Sequence, residues 1–573
     1  MNRPEKMKEF EEHIITLSYE GREYKIQQGT TAGEFLSDYA HDERVSYSYE
    51  KDPVIALQVN KEVMSLSQSL VTDGMGEPVR MFSTIGKRMY RHTISYLLAY
   101  ASHSLFPQRR LVIGHSLGNG FYFSYEDCDE LSGEDIKALE MQIQALVASS
   151  LPIRLYIAAY EQANGYFERI GFKATKKLLD YRNDPTIPLY ACGDFFDISF
   201  EPLLSNSSLT PLWELRPYGE RGLLLRYPLS SSYTSMPPFR DNPLLFSVFK
   251  ETKEWGNILK VDCIGAMNDI CGSDQIRTFI RMNENLQQRK ISSVAEEIAG
   301  KKQVKVVFIA GPSSSGKTTF TMRLALQLRL LGYQPIQISL DNYYLSKDRV
   351  PLDEEGNIDL EALEALDLDL FRENLADLYA GRTIQPPRFD FTEGGKRHFD
   401  QPAITLQEDT ILLIEGIHGL NPSLAPDIES STTFRVYISA LTQLNLDDHN
   451  RVSTTDNRIL RRIVRDHRYR GTSAQQTLEM WPLVERGESR HIFPYQNEAD
   501  VMINSALEYE LAVLKSYAEP LLKTVKPDAS EAYPTARRLI AFLENIYPIN
   551  PMMVPPESLL REFIGGSEFH DGC

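Results

Sequence analysis

Cysteine is scarce in this chain of 573 residues: Cys128, Cys192, Cys263, Cys271 and Cys573 are scattered, odd in number and without a C-x-x-C pair. That spacing excludes a disulfide framework. Long apolar runs are missing too. No stretch reaches the ~18 residues of a membrane span, and Met1-Asn2-Arg3-Pro4-Glu5-Lys6 leads to no signal-like apolar core. A reducing cytoplasm, away from membranes, is the expected setting. Positive charge is in deficit, 61 Lys and Arg against 79 Asp and Glu for a net charge of −18, which argues against broad nonspecific binding to nucleic acid or acidic membranes. Internal repeats and long low-complexity segments are absent. Length is not lacking: the chain is too long for one core, so three or four domains are expected, and 42% hydrophobic with 24% charged residues is the composition of an ordinary globular protein.

The most informative stretch is Gly311-Pro312-Ser313-Ser314-Ser315-Gly316-Lys317-Thr318, with Val306-Val307-Phe308-Ile309-Ala310 before it and Thr319-Phe320-Thr321-Met322-Arg323-Leu324-Ala325-Leu326 after it. The pattern predicts a buried strand, a tight glycine-bounded P-loop and a helix packed on the strand. Backbone N–H groups of Gly311, Ser313, Ser314, Ser315, Gly316 and Thr319 then surround the phosphates of ATP. Lys317 neutralises β/γ-phosphate charge, Thr318 offers its hydroxyl to Mg²⁺, and the helix N-terminus adds its dipole.

Three later segments extend the chemistry. Pro335-Ile336-Gln337-Ile338-Ser339-Leu340 predicts a second parallel strand ending at Asp341, where a carboxylate facing the P-loop can accept a hydroxyl proton for in-line attack on the γ-phosphate. Thr410-Ile411-Leu412-Leu413-Ile414-Glu415-Gly416 is a fully apolar strand ending in one acid, which suits Glu415 to Mg²⁺ or its water, with Gly416 and Gly419 leaving room beside the phosphates. Asn457 to Gly471 predicts a helix carrying six arginines, read as a lid that brings guanidinium groups to phosphoryl oxygens or as a solvated basic face or RNA patch.

These motifs together resemble the uridine kinase and phosphoribulokinase group of P-loop kinases over about Lys305 to Leu522. The resemblance implies Asp341 as general base for a nucleoside 5′-hydroxyl, Asp359 and Arg462 at the ribose, Arg465 and Arg470 near the phosphates, and Tyr344, Phe389 and Phe391 around the substrate. Glu361 is the alternative to Asp359 in Asn357-Ile358-Asp359-Leu360-Glu361. The base-reading positions depart from the family pattern at Phe389, Gly394, Thr472 and Met480, so the identity of the base stays open, and a sugar phosphate or another small alcohol is an alternative acceptor.

The front of the chain has its own resemblances. Residues 12–75 resemble a TGS domain, a β-grasp module, with a hairpin around Glu20-Gly21-Arg22 and a strand at Val54 to Asn60. TGS modules occur in some GTPases, but Asn60-Lys61-Glu62-Val63 lacks the aspartate of a guanine motif and precedes the P-loop. From Lys87 to about Phe200 the chain resembles the second N-terminal, editing domain of threonyl-tRNA synthetases, with His92 and Cys192 matching and Tyr96 and Phe196 standing where that family has histidines. Two polar groups are thereby lost, leaving too few ligands for a closed metal site and too few imidazoles for hydrolysis. Gly114-His115-Ser116-Leu117-Gly118 fits a nucleophile elbow, yet Asn119-Gly120 and aromatic residues follow instead of a helix, so a hairpin is expected. The expected fold is multidomain: a β-grasp α+β domain over 12–75, a synthetase-like α+β region with a connector over 76–285, and an α/β P-loop kinase with a parallel sheet over 286–573. An RNA-binding role for the N-terminal half, with the kinase as a nucleotide switch, is the competing reading, and a homo-oligomer is allowed.

Overall fold

Apolar patterning changes along the chain, and the sheets change with it. In the computed structural model of the protein, the first strand, Ile14–Tyr19, buries alternate residues, whereas Val306–Ala310 is buried at every position. Alternation marks a sheet with one covered face, and continuous burial marks a parallel sheet covered on both. The structure describes residues 13–46, 51–126, 130–228, 235–346, 348–353, 356, 358–390, 396–527 and 531–569.

The first unit is a mixed five-stranded sheet of β1 (Ile14–Tyr19), β2 (Arg22–Gln27), β3 (Val54–Val59), β4 (Glu62–Ser65) and β5 (Gly74–Arg80), in the order β2-β1-β5-β3-β4. Its centre is the parallel pair of β1 and β5. Ala32, Phe35 and Leu36, at the start of a helix capped by Thr31, bury against it.

The second unit holds two sheets: β6 (Leu111–Leu117) and β7 (Gly120–Tyr125) with β11 (Glu214–Pro217) and β12 (Gly222–Arg226), and β8 (Ile153–Ala159) with β9 (Thr186–Cys192) and β10 (Phe195–Asp197). The helix Thr84–Leu105 packs against both sheets in one core. β6 and β7 form the expected hairpin, with Ser116 Oγ donating to the Gly120 carbonyl, so no nucleophile elbow exists there.

The third unit is built on a sheet of five parallel strands, β13 (Val306–Ala310), β14 (Gln334–Ser339), β17 (Thr410–Glu415), β18 (Thr433–Ser439) and β19 (Val501–Asn504), ordered β14-β17-β13-β18-β19, with a small hairpin of β15 (Arg388–Asp390) and β16 (Lys396–His398) beside it. The helix Ile276–Gly300 is one continuous element, and the expected boundary between 285 and 286 falls inside it. Phe279, Ile280 and Ile291 share a core with Val307, Phe320 and Leu324, so the connector is part of the third unit's core. No helix among the described residues is long and apolar enough to cross a membrane. Cys192, Cys263 and Cys271 are free thiols, and Cys128 and Cys573 lie outside the described residues.

The second and third units are locked together by the loop 445–451. Asn445 Nδ2 donates to the Ile113 carbonyl at 2.7 Å, and Ile113 N–H donates to the Asp448 carbonyl at 2.9 Å. The buried Asp448 carboxylate accepts from Arg110 Nε at 2.5 Å and from Thr175 N–H at 2.9 Å, and His449 Nδ1 lies 2.7 Å from Asp197. Asn450 Nδ2 donates to the Ile198 carbonyl at 3.0 Å. Three residues after this loop, the helix Thr454–Arg470 begins.

Candidate active site

The ends of β13, β14 and β17 converge on one loop, as strand C-termini do in parallel sheets. Steric crowding requires its glycines. A Cβ on Gly311 would collide with the Ile438 carbonyl, and Gly316, at φ +84°, would collide with Leu559. Ser314 also has positive φ, at 59°. The hydroxyls of Ser314 and Ser315 are buried without a protein partner, a donor set that suits phosphoryl oxygens at a helix N-terminus. Lys317 folds back on the loop, donating from Nζ to the carbonyls of Gly311 at 3.0 Å and Pro312 at 3.3 Å. Thr318 stands partly exposed in the first turn of the helix Lys317–Leu330.

Glu415 ends β17 and accepts from Ser339 Oγ at 2.9 Å. Burial, and after it the charge of Asp341, pushes its carboxyl from an ordinary 4.5 up to about 7, while Lys317 pulls the other way. Lys317, Asp341 and Glu415 therefore lie within electrostatic reach of one another. No group of three or more His, Cys, Asp or Glu that could hold a metal ion occurs among the described residues. Thr318 and Glu415 offer oxygen ligands only, and a cation beside Glu415 offsets the burial and, after it, the nearby Asp341 charge that favour its neutral form. That set fits Mg²⁺, which binds through one or two carboxylates together with phosphate oxygens and water. A Cβ on Gly416 would meet Leu340 at 2.6 Å, so this glycine permits the close approach of the two strand ends, whereas one on Gly419 would meet Ala310 at an ordinary contact distance of 3.4 Å.

The arginine helix is not a solvated basic face along its whole length. Its N-terminal half is a fixed wall, with Arg458 3% and Arg461 0% exposed. Arg458 pairs with Glu488 and donates to the Ser313 carbonyl at 2.9 Å, and Arg461 pairs with Glu510 at 2.5 Å and reaches the Ser314 carbonyl at 3.3 Å. Arg462 donates to Ser313 Oγ at 2.9 Å and to Asp466 at 3.2 Å. Arg465 and Arg470 gather on the buried Asp466 at 2.7 Å and 3.7 Å, and Arg470 is within electrostatic reach of Asp341.

Two carboxylates without any local sequence signal sit on the cradle. Ser313 N–H donates to Glu488 at 3.1 Å, and Thr319 donates to Glu562 from N–H at 3.1 Å and from Oγ1 at 2.8 Å. Both occupy donors that the sequence assigns to phosphates. Replacing Glu562 with Gln is expected to tighten Mg·ATP binding roughly tenfold, the equivalent of one charge-assisted hydrogen bond of about 1.5 kcal/mol. Displacement of a fluorescent nucleotide checks this, and unchanged affinity would show that the carboxylate does not compete.

On the acceptor side, Tyr344 and Phe389 have ring centroids 6.2 Å apart. Phe389 N–H donates to Asn342 Oδ1 at 3.1 Å, and Arg397 ties the β15–β16 hairpin down through Asp367 at 2.7 Å and the Tyr344 carbonyl at 2.9 Å. Phe391 and Gly394 lie outside the described residues. Of the two acids left open by the sequence, Asp359 lies 3.3 Å from His491, whereas Glu361 is half-buried with its Oε2 out of solvent and unpartnered. Burial and the charge of Glu488 push Glu361 up to about 7, against the pull of Arg462 and Lys317. Glu361 is thus the acid brought to Lys317, Arg462 and Asp341.

In the second unit, the Tyr96 hydroxyl lies 3.0 Å from the Tyr190 carbonyl and 2.9 Å from that of Phe195, and Phe196 packs against Tyr156 and Tyr166. Burial pushes the Cys192 thiol up to about 11. These positions make packing and main-chain contacts.

Comparison with known proteins finds different relatives for the two halves of the chain. Residues 306–512 match the model of the Phosphoribulokinase / Uridine kinase family. A uridine kinase of Macrococcus caseolyticus is 29% identical over 199 residues, 35% of this chain and 86% of that protein. Over the N-terminal half the relatives are threonine–tRNA ligases. The one from Nitratidesulfovibrio vulgaris is 26% identical over 204 residues, 35% of this chain, and the match spans 30% of the ligase's length. Among solved structures, a D-glycerate 3-kinase from Cryptococcus neoformans aligns at 15% identity over 48% of this chain and 89% of its own, with a TM-score of 0.23.

Proposed function

We propose that this protein is an ATP- and Mg²⁺-dependent kinase that phosphorylates the 5′-hydroxyl of a nucleoside. The observation that carries the reading is the meeting of Lys317, Asp341 and Glu415 at the mouth of the P-loop, in a segment that matches a kinase family. Asp341 takes the proton from the acceptor hydroxyl as its oxygen attacks the γ-phosphorus, and Lys317 with Arg465 and Arg470 balances the charge that spreads over the phosphoryl oxygens. Mg²⁺, when bound through Thr318 and Glu415, supplies charge neutralisation at the β- and γ-phosphates. Glu361 and Arg462 face the sugar, and Tyr344 with Phe389 forms the wall for the base. The direct test is Mg·ATP with a panel of nucleosides, scored by ADP release and by the mass of the product. Release with none of them would move the acceptor to a sugar phosphate or another small alcohol.

Acidity gives a second check. Because the Glu415 pKa in the unliganded fold lies above its ordinary 4.5, at about 7, its neutral form contributes stability that is complete below 4.5 and lost as pH rises through 7. A cation needs the charged form. Mg·nucleotide binding is therefore expected to strengthen from about pH 6 to about pH 8 with release of a proton, seen by titration in buffers of different ionisation enthalpy. A flat profile would remove Glu415 from the cation site.

A further inference from the structure

A second cluster of arginines lies away from the P-loop, where the second unit meets the kinase. Arg88, Arg91 and His92 come from the helix Thr84–Leu105, Arg451 from the locking loop, and Arg538 from the helix Ala532–Glu544. All five are intermediate in exposure, so the cluster is partly open to solvent, and the space between them is termed the crevice. One ring organises the crevice: Arg91 stands 5.7 Å and Arg451 5.6 Å from the centroid of Phe121, with the His92 ring 6.4 Å away.

The charges do not balance. Glu201 lies 3.6 Å from Arg88 and from Arg538, and Asp456 holds Arg538 at 2.6 Å. Among the described residues no carboxylate lies within ion-pair distance of Arg91 or Arg451. Donors are left over as well, since Nε of Arg88, Arg91 and Arg538 is buried without an acceptor. Burial and the nearby Arg91 push Arg451 down to about 10, and all four arginines hold His92 below its ordinary range after burial has done so. Arg91 is hydrogen-bonded to the Tyr227 hydroxyl, which also faces Arg451, but a neutral phenol balances no charge. Two guanidinium groups without a carboxylate partner at one ring, with surplus N–H donors, are a poor resting arrangement.

We infer that this crevice is a binding site for a phosphate group, distinct from the P-loop, with Arg91 and Arg451 as the residues that clamp it. A phosphate monoester carries about −1.5 to −2 charges at pH 7, which matches the two unpaired guanidinium groups. The planar fork of Arg suits phosphoryl oxygens, and Phe121 supplies an apolar wall. Arg91 and Arg451 belong to different units, so an anion between them ties the units together. Arg451 also precedes the arginine helix, and Asp456 lies in that helix's first turn.

The test uses the full chain with Lys317→Ala, which weakens phosphate binding at the P-loop. Inorganic phosphate at constant ionic strength, balanced with chloride, is expected to raise Tm by several degrees. Adding Arg451→Gln or Arg91→Gln should weaken phosphate binding roughly tenfold or more, and each should raise Tm in phosphate-free buffer because one repelling charge is gone. Arg451→Lys should keep part of the response. Glycerol 3-phosphate separates the sources: tighter binding than inorganic phosphate assigns a phosphorylated metabolite, and weaker binding assigns the free ion, either result supporting the site. The inference falls if phosphate has no effect on the Lys317→Ala protein, if the effect survives both Gln substitutions, or if both lower Tm in phosphate-free buffer.

Discussion

Asp341→Asn is expected to lower ATP-dependent phosphorylation by about two to four orders of magnitude, the range for loss of a positioned general base, while Mg·ATP still binds. The side chain is exposed at the end of β14, so its replacement removes no packing and should leave the fold within about 0.5 kcal/mol of the original. Lys317→Ala separates the two ends of the reaction. Its Nζ lies on the loop that cradles the phosphates, so that variant should lose nucleotide affinity and turnover together, whereas Asp341→Asn should lose turnover alone. Undiminished ADP release from Asp341→Asn, with its circular dichroism unchanged, would remove Asp341 as the base and with it the proposed reaction.

Much of the kinase half is legible because its determinants are local. The strand, loop and helix of residues 306–330 are contiguous, and the positive φ of Gly316 is a torsional demand of the loop itself. Glu415 is legible for the same reason, since a continuously apolar strand ends on a single acid. The rest depends on chain folding back from far away. Glu488 and Glu562 reach the P-loop across 175 and 243 residues and carry no motif. Periodicity marks the helix Thr454–Arg470, but only the tertiary structure decides that Arg458 and Arg461 face inward to Glu488 and Glu510. Asp359 and Glu361 are two residues apart, and their different surroundings are set by His491 on one side and Lys317 on the other. The locking of the second unit onto the loop 445–451 has no sequence signature, because Asp448 reads as an ordinary loop acid until Arg110 is placed against it.

That lock is where the largest effect on stability is expected. Asp448 is fully buried and accepts from Arg110 at 2.5 Å and from Thr175 N–H and Oγ1 at 2.9 Å and 3.0 Å. With Asp448→Leu, Arg110 keeps only Asp262, 3.8 Å away and largely exposed. A buried pair broken on one side costs about 3–5 kcal/mol, because the surviving charge is left desolvated and unpaired. Arg110→Met should cost a similar amount for the same reason. The double variant should recover much of the loss, because two apolar side chains leave no charge to solvate, although Thr175 still loses its acceptor. Urea unfolding of all four proteins measures the coupling. Turnover should follow stability, because the loop leads directly into the helix whose Arg458 and Arg461 bond the P-loop carbonyls. Single variants that lose less than about 1 kcal/mol, with losses that simply add, would mean that the two units lie against each other without being coupled through this pair, and the front half would then be free to move independently of the kinase.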